Sequence, residues 1–155
     1  MHARHIVVAV FAAAVTLTSV ASAGPTAAKQ RVAINTTILP RGTFVFTPRA
    51  GALKRDSGTV NEGKTLSERN RVTTGFWKFT GKQGDLVLRE RRGWVDLGSD
   101  LNRDGFPDIV ALGTWKAVRG TGQYAGVTGG GRSAHLGLGR QWVARYEGFL
   151  TRRNQ

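Results

Sequence analysis

The sequence contains no cysteine, so disulfide bonds and cysteine-based metal or redox sites are excluded. Acidic residues are scarce: 10 Asp and Glu stand against 23 Lys and Arg, a formal net charge of +13. A surface of this sign attracts polyanions, although the charge also fits a role in solubility alone. His135 is the only histidine after the first few residues. One histidine and no cysteine disfavour a zinc site.

The first residues have the three parts of a secretory signal peptide. Arg4 gives a positive start, residues 6–17 are almost entirely apolar, and Ala21-Ser22-Ala23 is a small-x-small cleavage site. The apolar run has about a dozen residues, too few to span a bilayer, which argues against the alternative of an N-terminal anchor. We therefore expect a secreted or periplasmic protein with no transmembrane segment after cleavage. The predicted divisions are a signal peptide (1–23), a disordered lead-in (24–30) and one domain (31–155).

The pattern of the remaining chain predicts an all-β fold. No long segment repeats apolar residues at helical spacing, and short apolar runs alternate with Gly, Thr and Asp turn signals. About eight strands follow from this reading, enough to close a small antiparallel barrel. Residues 61–71 are highly polar and are predicted to be a loop. The predicted strands are residues 32–39, 43–47, 56–60, 72–80, 85–95, 109–118, 132–138 and 142–151.

Several short motifs in the second half resemble one family. Gly113-Thr114-Trp115 runs into G-T-G-Q-Y-A-G at 120–126, a glycine-rich turn is expected at 129–131, and Y-E-G-F-L-T follows at 146–151. Together these resemble bacterial secreted members of the allene oxide cyclase and dirigent-like barrel superfamily, over roughly residues 42–151. The resemblance implies an eight-stranded antiparallel barrel and allows a homo-oligomer, as in relatives. It carries over no catalytic residues.

The stretch D-L-N-R-D-G-F-P-D at residues 100–108 predicts a calcium site. It sets oxygen-bearing side chains at its first, third, fifth and ninth places and a glycine at the sixth, a spacing that can wrap one Ca²⁺ ion. It also resembles the calcium loops of integrin-type propeller repeats, although Ala111 stands where an EF-hand has its bidentate Glu. The alternative is a hairpin with an Asp-Gly turn. The predicted ligands are Asp100, Asn102, Asp104, Phe106 and Asp108.

The strand at 85–95 contains the basic run Arg89-Glu90-Arg91-Arg92. Strand alternation sends Arg89 and Arg91 to one face, which we expect to be an outer surface for anionic ligands. Glu90 and Arg92 share the opposite face, either as a polar pair inside a ligand cavity or beyond the barrel rim. Because a buried ion pair is costly to desolvate, we favour the rim. The predicted anion-binding residues are Lys78, Lys82, Arg89 and Arg91.

These observations lead to a primary hypothesis and to alternatives. The primary hypothesis is a secreted, non-enzymatic, basic β-barrel with a structural Ca²⁺ and a surface for envelope polyanions or anionic glycans. The alternative is a cyclase-like enzyme or carrier that holds a small apolar molecule in the barrel, and a weaker one is a protein partner bound through residues 61–71. Phe76, Trp77 and Phe79 are assigned to the core, so specific nucleic-acid binding is not predicted. Ser133 and His135 lack the context of a serine triad.

Overall fold

The structure is a computed structural model that describes residues 28–39, 41–49 and 51–152. The predicted signal peptide and residues 24–27 of the predicted lead-in lie outside these ranges. In the described part, no helix has both the length and the apolar character to cross a membrane. The described residues form eight strands and one short 3-10 helix (Gly122–Tyr124). The strands are β1 (Lys29–Leu39), β2 (Thr43–Pro48), β3 (Asp56–Arg69), β4 (Val72–Gly81), β5 (Gly84–Asp96), β6 (Ile109–Gly120), β7 (Val127–Leu138) and β8 (Gln141–Arg152).

The eight strands close into one antiparallel barrel. Each strand pairs with the next, and β8 returns to pair with β1. The predicted all-β class and the closed barrel of about eight strands are therefore confirmed. Alternation along each strand places one set of side chains inside, as in β8, where Ala144, Tyr146 and Leu150 are buried.

The polar segment predicted as a loop is largely strand, so that prediction is wrong. β3 continues to Arg69 and pairs with β4 through two register shifts, and only Asn70 and Arg71 form the turn. Its partner β2 pairs with it only from Asp56 to Thr59, so the far half of β3 has a strand on one side alone. Both faces of this half are exposed, and it therefore carries no apolar alternation to signal a strand.

Two other boundaries differ from the sequence expectation. β1 begins at Lys29, so the end of the expected lead-in is part of the barrel, and Gln30 is buried there. The glycines at 129–131 lie within β7 and do not form the expected turn. The backbones of β7 and β8 lie so close there that a Cβ on Gly131 would meet the carbonyl oxygen of Glu147. The glycines allow the two strands to pack closely. In the sequence, a glycine run of this kind looks the same as a turn.

The two ends of the barrel differ. At the end that holds the β4–β5 turn, apolar and aromatic side chains fill the interior, and Tyr124 of the 3-10 helix closes it. The Tyr124 hydroxyl donates to the buried carboxylate of Asp56, 3.1 Å away, and Asp56 also accepts from the backbone N–H groups of Lys82 and Gln83. We call this the closed end. The opposite end, which holds the β1–β2 and β5–β6 connections, is called the barrel mouth.

Candidate functional site

A buried polar cluster lies between the closed end and the mouth. Its centre is Glu90 of β5, only 1% exposed. Trp77 Nε1 and Arg92 Nη1 donate to Glu90 Oε2 at 2.7 and 3.1 Å. The other oxygen, Oε1, contacts His135 Nε2 at 2.7 Å and the Ser133 hydroxyl. Four donors from three strands therefore converge on one carboxylate.

These partners keep Glu90 charged. Burial alone would raise the pKa of Glu90, since the ion loses its water. The hydrogen bond and charge of His135, the Ser133 hydroxyl and the charge of Arg92 outweigh burial, so the pKa lies below the usual 4.5. For Tyr146, burial and the nearby Glu90 charge act together and raise the pKa well above 10.0. The cluster thus contains a carboxylate beside a neutral phenol.

Two buried polar atoms next to this carboxylate have no hydrogen-bond partner among the described residues. They are His135 Nδ1 and the Tyr146 hydroxyl. The two rings meet edge to face, with centroids 5.5 Å apart. Buried polar groups are almost always satisfied in native proteins. Groups of this kind are satisfied by ordered water, an ion or a ligand.

A cavity of about 460 Å³ opens directly above the cluster, at the mouth. His135, Trp77 and Arg92 form part of its floor and wall. Apolar side chains form much of the rest, and the cavity extends to the place where β3 has no β2 partner. Its remaining lining residues are Ile38, Leu39, Gly42, Val60, Asn61, Glu62 and Trp142. A volume of this size is within the range of small-molecule sites.

The expectation that Glu90 and Arg92 lie beyond the rim is wrong. Both point into the barrel, and Arg92 links Glu90 to Glu62 of β3 through a second ion pair at 2.9 Å. The rim was favoured because burial of the Glu90 charge is costly. The sequence did not reveal the other partners of Glu90, which offset that cost. Trp77, assigned to the core, is buried but also supplies one of those donors.

Ser133 and His135 do not form a triad with Glu90. In a serine triad the imidazole lies between the hydroxyl and the acid. Here the hydroxyl and the imidazole both contact the same oxygen of Glu90. The imidazole therefore has no path to the hydroxyl proton. One sequence signal did point to this cluster: alternation in β5 puts Glu90 on the same face as Leu86 and Leu88, which are core residues.

The predicted calcium ligands lie together in the β5–β6 loop at the mouth end, and several of their carboxylate oxygens accept hydrogen bonds from backbone N–H groups. Asp100 accepts from the N–H groups of Asp104 and Gly105, at 3.0 and 2.9 Å. Asp104 accepts from the N–H of Phe106, from the side chain of Asn102 and from the N–H of Arg140.

Asp108, the last predicted ligand, is buried, and its Oδ2 accepts from Ser99 and Leu101. In the part of the chain that the structure describes, no three His, Cys, Asp or Glu side chains are arranged to hold a metal. A carboxylate oxygen that accepts one hydrogen bond retains a lone pair, so calcium binding at this loop stays a prediction.

The predicted anion-binding residues lie on the outside of the barrel. Arg89 and Arg91 of β5 are joined by Lys116 of β6 around a groove of about 250 Å³. Lys78 is on the same wall, paired with Asp85 at 3.0 Å. Lys82 is in the β4–β5 turn at the closed end, away from the groove. The structure thus brings Arg89 and Arg91 together and separates them from Lys82.

Comparisons with protein-family models, curated proteins and solved structures found no match to this chain. The resemblance to the allene oxide cyclase and dirigent-like superfamily therefore stays a prediction. Inference about function depends on the geometry of the barrel mouth and of the outer wall.

We expect Glu90→Gln to lower the free energy of unfolding by about 3 kcal/mol at neutral pH, because it leaves Arg92 without its buried charge partner. The folded-state pKa of Glu90 lies below 4.5, so on acidification the unfolded chain takes up the proton first. The stabilisation from Glu90 is complete above the unfolded-state pKa of about 4.5. It is lost as the pH falls through the lower pKa of the folded state. Urea unfolding along a pH series should show the two proteins converging in acid. The exposed Glu68→Gln is the control, and a gap that widens in acid would contradict the assignment.

If the β5–β6 loop binds Ca²⁺, added calcium should raise the melting temperature. At about 10 mM calcium, a dissociation constant of about 0.1–1 mM corresponds to about 1.4–2.7 kcal/mol. Magnesium at the same concentration controls for ionic strength, and Asp100→Asn should abolish the calcium effect. Equal melting temperatures with calcium, magnesium and chelator would rule out the site.

Proposed function

We propose that the barrel mouth binds a small, largely apolar molecule and that the protein is a binding or carrier protein. The observation that carries this proposal is the cavity above the Glu90 cluster. A barrel of this size is able to fill its interior with side chains, and the closed end does so. At the mouth the packing stops, and the space is bounded by apolar and aromatic side chains with a few converging polar groups. That combination is typical of ligand sites.

The position of the polar groups supports binding more than structural packing. Among the described residues, His135 Nδ1 has no hydrogen-bond partner, and the His135 ring borders the cavity, where water or a polar group of a ligand is at hand. Trp142, which borders the cavity, lies flat against Gly137 because the glycine has no side chain. A large aromatic surface is thereby held at the cavity wall.

Binding of a neutral fluorescent probe, N-phenyl-1-naphthylamine, tests this proposal. Trp142→Ala should weaken binding by about fivefold or more through loss of aromatic contact. The matched control is Leu112→Ser, on the outer wall of β6, where Leu112 is 64% exposed and offers a competing apolar surface. The proposal would be overturned if the Leu112 variant lost probe binding while the Trp142 variant bound the probe as tightly as the unchanged protein.

A second candidate function, binding of an anionic glycan on the outer wall, is favoured by one observation. Arg89 and Lys116 are directly opposite each other across β5 and β6, and like charges in that position repel. Among the described residues, neither these two nor Arg91 forms an ion pair with an acid. An anion in the groove would relieve the repulsion.

Retention on a heparin column tests the outer wall. The triple variant Arg89→Ser, Arg91→Ser, Lys116→Ser should elute at clearly lower salt than a control with the same loss of charge elsewhere. The control replaces Lys54, Arg55 and Arg152, which are exposed outside the groove. Equal elution of the two variants would show that retention follows net charge alone.

A further inference from the structure

We infer that the molecule held in the barrel mouth carries a positively charged, hydrogen-bond-donating head, such as a primary ammonium, on an apolar body. This inference depends on the proposed function and names the chemistry of its ligand. It arises from the charges around the cavity, whose balance is opposite in sign to the net charge of the protein.

The charges that line the mouth are mainly negative. A second cavity of about 330 Å³ shares Glu62, Arg92 and Trp142 with the first and adds Glu68 and Trp94 to the lining. Two carboxylates and one guanidinium thus face the combined space, and the carboxylate of Glu90 lies below it. This local excess of acid is opposite to the balance of the whole chain, which has 10 acids against 23 basic residues.

The guanidinium in the lining is already engaged. Arg92 donates to Glu90 from Nη1 and to Glu62 from Nη2, and its guanidinium lies 5.1 Å from the centre of the Trp77 ring. An anionic head would have to displace one of these carboxylates to reach Arg92. Arg71 stacks on Trp94 at the rim, 5.6 Å from the ring centre, but it is exposed and does not line either cavity.

An exposed carboxylate in the lining favours a donor on the ligand. Glu68, which lines the second cavity, is exposed. An ammonium can donate to such groups and also interact with an aromatic face, and Trp142 offers one.

Three ligands with the same apolar body separate the possibilities: 1-naphthylmethylamine, 1-naphthylmethanol and 1-naphthoate. Calorimetric titration at about pH 7.5 keeps the amine charged, and about 150 mM salt screens distant charges. We expect the amine to bind most tightly and the carboxylate about tenfold more weakly or worse. The net charge of the protein favours the carboxylate, so a preference for the amine cannot come from that charge.

Variants locate the effect. Glu68→Gln should weaken amine binding about threefold or more and leave the alcohol unchanged. The matched control, Glu147→Gln on the outer wall, should change neither. If naphthoate binds best, and its binding is lost in Trp142→Ala, the mouth is a ligand site but the inferred head group is wrong. If no ligand of the three shows binding that depends on Trp142, both the inference and the proposed function fail.

Discussion

One buried carboxylate, that of Glu90, determines how the barrel interior is divided. A charge placed inside a narrow barrel requires partners, and Trp77, Ser133, His135 and Arg92 supply them from neighbouring strands. Around Glu90, the inward-facing positions of the strands carry polar side chains, whereas the same kind of position at the closed end carries apolar ones. Above this polar layer the side chains no longer interlock, and the cavity begins. The filled half therefore provides stability, and the polar layer forms the boundary between it and the open half.

The fold was accessible from the sequence because its signals are local. Period-two alternation in β8 and the short turns between strands predicted an antiparallel barrel without any long-range information. The signals failed where burial does not accompany pairing. The far half of β3 is exposed on both faces, so its polar residues resemble a loop although they pair with β4. The glycines of β7 allow close strand contact and give the same sequence signal as a turn.

The site was less accessible, because it consists of contacts between distant residues. Alternation placed Glu90 with Leu86 and Leu88, but the cost of a buried charge depends on its partners, and those lie on β4 and β7. His135 carries no informative neighbours in sequence, and its role comes from Glu90, 45 residues away. The loop at residues 100–108 shows the reverse case. Its spacing is a strong local signal for a calcium loop. Its carboxylates accept hydrogen bonds from loop amides, and the spacing alone does not distinguish a loop that binds an ion from one held by these bonds.

The polar layer inside the barrel requires that Glu90 be charged in the folded protein. Carbon-13 NMR of the Glu side-chain carboxyl groups measures this directly, with the Glu90 signal assigned from its loss in Glu90→Gln. Titration from neutral to acid pH should give a pKa for Glu90 below 4.5, because His135, Ser133 and Arg92 stabilise the ion more than burial destabilises it. A pKa well above that value would mean that Glu90 is a neutral acid when the protein is folded. The arrangement of the polar layer and of the mouth above it would then be wrong.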